Sequence, residues 1–202
     1  MFNLEIDVIR QGYQQIIGID EAGRGPLAGP VVACAVLLKS FAFQSRIDDS
    51  KKLSPRQRLE AFHEIFNKAY VGIGMMNEKV IDEVNILEAT FLAMNGALRD
   101  LKRKLPAPVL TDKTILMIDG PYFKTDFKLP YQTIIDGDKK CFSIACASIV
   151  AKVTRDRILA IYDQVFPQYG FKKHKGYPTK EHREKIKLCG PSLIHRITFQ
   201  MA

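Results

Sequence analysis

The 202 residues, 47% hydrophobic and 26% charged, fit one ordinary globular domain, large enough to bury about 70% of its extended surface without disulfide or metal staples. No apolar run reaches the roughly 18 residues of a membrane span, and the start MFNLEIDVIR lacks the basic end and apolar core of an export signal, so a cytoplasmic protein is expected. Lysine and arginine outnumber acids 30 to 22, a net charge of +8 compatible with a polyanionic partner.

In chain order, Ile16–Asp20 and Val31–Leu38 read as strands, with the Gly- and Pro-rich stretch Gly23–Pro30 as the loop between them. Ser54, Pro55 and Gln57 predict a helix start with a capping box, and Leu59, Phe62 and Phe66 form its apolar stripe. His63, near that stripe, reads as structural. Tyr70–Met75 is a third strand. Asn85 and Glu88 make another cap-like pair, ahead of Leu87, Phe91, Met94, Leu98 and Leu101 at helical spacing, read as core. LPAPV, Leu105 to Val109, is a break. Ile115–Asp119 and Tyr131–Ile135 are further strands. A long helix from about Ser143 to Phe166 is predicted to turn Ile149, Val153, Ile161 and Val165 inward, and another covers about Thr179 to Leu188. Strands with interspersed helices predict an α/β fold around a mixed sheet. Cys34, Cys141, Cys146 and Cys189 contain no CxxC pair and read as reduced, mostly buried thiols. From Lys172 to Lys187, lysines and one arginine dominate, with His174 and Tyr177 interleaved. That run is either a solvated face or a phosphate-backbone contact.

Four acids raise the chemical question. Asp20 and Asp119 each end a predicted strand, Glu21 follows Asp20, and Asp138 precedes the long helix. Each is explicable singly as a turn former or cap. Gathered at one sheet edge, any two about 4 Å apart repel by roughly 4 kcal/mol at an effective dielectric near 20, so the group needs a cation or a shared proton. Glu21 can join Asp20 only if the chain has already left the strand, because alternate strand residues face opposite ways. Oxygen-only donors suit magnesium or manganese rather than zinc, and two such ions activate water and stabilise the leaving oxygen of a phosphodiester. Asp156 is a rival ligand, but Arg155 and Arg157 beside it favour pairing on the helix surface. Gly23–Arg24–Gly25 is neither a P-loop nor a dinucleotide fingerprint. Beside acids, it suits a close backbone approach to sugar and phosphate, including a ribose 2′-OH.

GIDEAGRGPLAGPVV (Gly18 to Val32) resembles the signature of the type 2 ribonuclease H family, ribonuclease HII. So do DDSKKLS, NILEAT, IDG, GDKKCFSIACASIVAKVTRDR, KHKGYPTKEH and GPSLIHRITF, in the family's order over nearly the whole chain. The resemblance implies a ribonuclease H-like fold: one catalytic domain over residues 1–202, with about 170–202 as a basic C-terminal helical segment. It implies an endonuclease that cuts the RNA strand of RNA/DNA hybrids. It further implies nicking 5′ of single ribonucleotides in duplex DNA, leaving 3′-OH and 5′-phosphate ends, as in ribonucleotide and RNA-primer removal. Asp20, Glu21, Asp119 and Asp138 would hold two Mg2+ or Mn2+ ions with substrate bound. Gly23, Arg24 and Gly25 would read the 2′-OH, and Tyr177 would stack on the next sugar. Lys51, Ser148, Lys152 and Thr154 would lie near phosphates. A monomer is expected. A clamp-binding tail, found in some relatives, is expected to be short or missing after HRITF. The GRG loop, with no domain before the first strand, sets the chain apart from the sister ribonuclease HIII. No metal-ligand spacing pairs His182 with His195.

Overall fold

The computed structural model describes residues 3–106 and 110–200. Its centre is a five-stranded sheet of β1 (Gln15–Ala22), β2 (Val31–Leu38), β3 (Ala69–Met76), β4 (Thr114–Asp119) and β5 (Tyr131–Ile134), ordered β3-β2-β1-β4-β5. β2 runs antiparallel to both of its neighbours, β1 and β3, while β4 is parallel to β1 and β5 to β4, so the sheet is mixed as expected. The helices are α1 (Asn3–Arg10), α2 (Pro55–Lys68), α3 (Glu78–Val84), α4 (Ile86–Lys104), α5 (Gly137–Lys140), α6 (Phe142–Val165), α7 (Phe171–His174) and α8 (Lys180–Cys189). The short α1, α3, α5 and α7 carry too few turns to show a period, and sequence reading passed over them.

Strand parity builds three layers. Ile17, Ile19, Ala33, Ala35, Leu116 and Ile118 face α4, where Met94, Ala97, Leu98 and Leu101 close the core. Leu98 is 1% exposed; truncating such a leucine to alanine costs about 2–5 kcal/mol. On the other face, Cys34 and Val36 pack against Ala61 and Ile65 of α2 and Cys146, Ile149 and Val150 of α6. Ile16, Ile115 and Met117 meet Ile144 on the same side. Gly18 lets α6 lie this close to β1, because a Cβ there would strike the Ser143 backbone. The caps form as predicted: Gln57 N–H donates to Ser54 Oγ and Ser54 N–H to Gln57 Oε1, and Asn85 Oδ1 accepts from Leu87 and Glu88.

Several predicted burials are corrected. Ile161 and Val165 are exposed, because the last turns of α6 run past the sheet edge and bury Leu159 instead. Leu59 and Phe66 lie on the rim of α2, whose buried residues are Ala61, Phe62 and Ile65. His63 is exposed and meets Phe62 edge-on. Leu87 is partly exposed in the first turn of α4. Three cysteines are buried and Cys189 is exposed. Leu105 does end α4, and the rest of the predicted break, residues 107–109, lies outside the described residues. Among the described residues no helix is long and apolar enough to cross a membrane. The C-terminal segment packs on the β1–β2 loop: Leu27 and Ala28 share a cluster with Leu159, Tyr169, Phe171, Ile186 and Ile194.

Candidate active site

Ile19 and Ile118 are the last residues paired between β1 and β4. Asp20 and Asp119 come next on their chains and share the α6 side of the sheet. The structure corrects the expectation that Glu21 must leave the strand: β1 continues to Ala22, and Glu21 pairs with Ala33 of β2. Glu21 has the opposite parity, yet β4 has already ended beside it, so its carboxylate reaches around the open edge. Asp20, Glu21 and Asp119 each bring one oxygen within 4.8 Å of the others.

Each acid is held. Asp20, 4% exposed, accepts from the Glu21 amide at 2.6 Å. Ser148 lies beside Asp20, and its hydroxyl donates at 3.0 Å to Ser50 Oγ. Asp119 accepts from the Gly137 amide at 2.7 Å. Burial, then the Glu21 and Asp119 charges, push Asp20 well above the ordinary carboxylate range. Burial also lifts Glu21 to about 7; Arg24, 3.6 Å away, opposes the rise and Asp119 adds to it. Asp138 stands apart from the trio. Lys51 Nζ lies 3.8 Å from it, and burial, Asp49 and Asp119 raise its carboxyl. Burial works against the Lys51 ammonium, but Asp138, Asp49, Asp20 and Asp119 together hold it up. The site is thus a negative well of hard oxygen donors, only partly offset by Arg24 and Lys51, which fits magnesium or manganese.

The trio opens into a cleft of about 300 Å3 whose walls include Gly23, Arg24, Gly25, Lys51, Lys152 and Tyr177. Ser148 lines it too, whereas Thr154 is half-buried on α6 and lines no part of it. Lys152 is paired with Asp156 at 2.8 Å and sits 5.9 Å from the centre of the Tyr177 ring. Asp156 is thereby the surface ion-pair partner expected, but of Lys152 and not of the flanking arginines. Arg155 is 1% exposed and donates to the carbonyls of Pro30, Ala28 and Lys175, while Arg157 lies over Phe62. Gly23 has φ of 105° and no room for a Cβ against Arg155, so only glycine serves there.

Sequence reasoning missed a second layer beneath this cleft. Arg196, fully buried, spends its guanidinium on carbonyls of the Gly23–Gly29 segment. Burial pushes Arg155 down to about 10 and Arg196 to about 9, so both stay charged at neutral pH. Three buried histidines lie alongside. Ser192 N–H donates to His195 Nδ1 at 2.8 Å, leaving His195 Nε2 as the donor toward His182 Nε2, 3.0 Å away. His182 Nδ1 then donates to the Tyr177 carbonyl at 2.9 Å. Each backbone end fixes a neutral tautomer, and burial depresses His182 and His195 to about 4. The available signal was a basic pair inside an apolar stretch, Ile194-His195-Arg196-Ile197.

The ribonuclease HII family model matches residues 17–202. A ribonuclease HII of Caldicellulosiruptor saccharolyticus is 46% identical over 199 residues, covering 98% of this chain and 93% of that protein. Among solved structures, the ribonuclease H2 of Pyrococcus horikoshii OT3 superposes with a TM-score of 0.71 at 25% identity, covering 94% of this chain and 95% of that one. Bst ribonuclease HIII in complex with Mn2+ gives a TM-score of 0.73 at 16% identity, over 96% of this chain and 70% of that one, a likeness of fold.

Proposed function

The chain belongs to the ribonuclease HII family, with its ribonuclease H-like fold, and is an endonuclease, a phosphodiester hydrolase; from that premise we propose that it hydrolyses the RNA strand of RNA/DNA hybrids and nicks duplex DNA 5′ of single embedded ribonucleotides, with Mg2+ or Mn2+, leaving 3′-OH and 5′-phosphate ends. The observation that carries this reading is the carboxylate trio opening onto a cleft walled by the GRG loop and Tyr177.

In this reading Asp20, Glu21 and Asp119 hold the metal, with Asp138 at the margin beside Lys51. Two ions, when bound with substrate, supply charge neutralisation and an activated water. The chain's own groups do the rest. The Glu21 amide fixes the Asp20 carboxylate. Lys51 and Lys152, both lining the cleft, offer ammonium groups to phosphates. Arg24, half-exposed and tied to Glu21, offers its guanidinium to the phosphate beside the ribonucleotide. The Gly23–Gly25 backbone contacts the 2′-OH, the group absent from DNA, and the partly exposed Tyr177 ring takes the sugar on the far side. The basic segment 170–202 extends the same domain as a flank for duplex phosphates.

The test is cleavage of a labelled DNA duplex carrying one ribonucleotide, with an all-DNA duplex alongside. One metal-dependent cut 5′ of the ribonucleotide and none in the control is the expected result. No cut with either ion, or equal cutting of both duplexes, defeats the proposal.

A further inference from the structure

We propose that Arg196 is a positioning residue that aims two backbone amides of the GRG loop into the cleft, and so sets the response to a ribose 2′-OH. The inference deepens the functional reading above and rests on it.

Arg196 is 0% exposed, and its acceptors are backbone carbonyls. Nη1 donates to the carbonyls of Arg24 at 2.9 Å and Pro26 at 2.8 Å; Nη2 donates to those of Gly23 at 2.6 Å and Gly29 at 2.7 Å; Nε also reaches Gly29 at 3.0 Å. A loop that turns four carbonyls toward one buried cation presents the other edge of its peptide planes elsewhere. In a trans peptide the N–H points opposite to the C=O of the same plane. The Gly23 carbonyl shares its plane with the Arg24 amide, and the Arg24 carbonyl with the Gly25 amide. Pinning both carbonyls inward therefore turns the Arg24 and Gly25 N–H groups away from Arg196. The Pro26–Leu27 plane bears out this geometry: its carbonyl faces Arg196 and its Leu27 amide points away, donating to the Gly176 carbonyl at 2.8 Å. Gly23, Arg24 and Gly25 all line the cleft.

Arginine is suited to this because its planar fork carries five donors, and the cation stays charged through the pH range of interest. A lysine at the same depth offers a point charge and three donors on a flexible stem. It has too few donors to hold all four of these carbonyls at once. The arrangement is preorganised, since its hydrogen bonds are made before any substrate arrives.

The experiment compares Arg196→Lys and Arg196→Gln with wild type on the single-ribonucleotide duplex. Leu98→Ala serves as a control destabilised in the core on the far side of the sheet. Expected for a folded Arg196 variant is a kcat lower by on the order of 100-fold, with KM and metal-free duplex binding little changed, while Leu98→Ala keeps its kcat. A folded Arg196 variant whose kcat stays within about threefold of wild type overturns the inference. Should both variants fail to fold, amide spectra of the wild-type protein decide. The Arg24 and Gly25 N–H resonances must shift on adding the ribonucleotide duplex and not on adding all-DNA duplex, and equal response to both overturns the proposal. Absence of cleavage by wild type itself would instead defeat the underlying reading of function, so the two failures are distinct.

Discussion

Asp20 and Asp119 occupy equivalent positions on neighbouring parallel strands, each one residue beyond the Ile19–Ile118 pair and on the same face. Adjacent strands lie about 4.8 Å apart, so the sheet itself forces these two carboxylates together. Glu21 completes the group because β1 outlasts β4: Gly120, with φ of 95°, turns that chain away, while β1 stays paired with β2. The fold concentrates negative charge at a strand end where a cation can approach from the cleft.

Removing one charge from this group tests the concentration directly. Asp20→Asn keeps an oxygen for the Glu21 amide, now held at 2.6 Å, and deletes a repulsive partner. The metal-free variant is expected to melt at or above the wild-type temperature, by a gain of up to about 2 kcal/mol, or roughly 4–8 °C in a chain of this size. Cleavage is expected to vanish while duplex binding persists. A clear fall in melting temperature would refute the picture of crowded acids.

Glu21 provides the pH dependence. Burial raises its carboxyl from the ordinary 4.5 to about 7, so between those values the folded protein binds more protons than the unfolded chain. Stability of the metal-free protein from this source is therefore fully present below about pH 4.5 and is lost as pH rises through 7. Glu21→Gln has no such loss. The variant should match wild type near pH 4.5 and exceed it at pH 8 by on the order of 3 kcal/mol, read from urea unfolding at both values. An offset independent of pH would argue against a raised Glu21.

Much of this was legible in the chain because strand endings and caps are local events. Strand-like stretches marked all five strands, and Asp20, Glu21 and Asp119 could be named from their place at strand ends. What stayed hidden depends on distant pairing. Arg155 looked like a surface partner for Asp156, yet it reaches carbonyls more than a hundred residues away at Ala28 and Pro30. Ile161 and Val165 kept helical spacing after the sheet they should have covered had ended. Glu21 defied simple alternation because parity says which face a residue starts from and nothing about where the neighbouring strand stops.

The histidine chain gives a prediction of opposite sign. Burial holds His182 and His195 near 4 instead of 6.5, with each other and Tyr177 as partners. Their contribution to stability is complete above about pH 6.5 and is lost as pH falls through 4, since the unfolded chain takes up protons first. Nitrogen spectra should show the His182 proton on Nδ1 and the His195 proton on Nε2 at pH 7, with neither ring titrating until about pH 4. A midpoint near 6.5 for either ring would show that the chain of bonds is not formed.

Tyr177 separates stacking from structure. Its backbone is fixed on both sides: the amide donates to the His174 carbonyl at 2.9 Å and the carbonyl accepts from His182, while the residue is 41% exposed and lines the cleft. Side-chain truncation there should leave the fold alone, within about 0.5 kcal/mol. A sugar or base packed on that ring contributes about 1–3 kcal/mol, so Tyr177→Ala is expected to lower kcat/KM on the single-ribonucleotide duplex by roughly 5- to 150-fold. Tyr177→Phe keeps the face and should retain most of the activity. If phenylalanine were as damaging as alanine, the hydroxyl and not the face of the ring would be the group that meets the substrate.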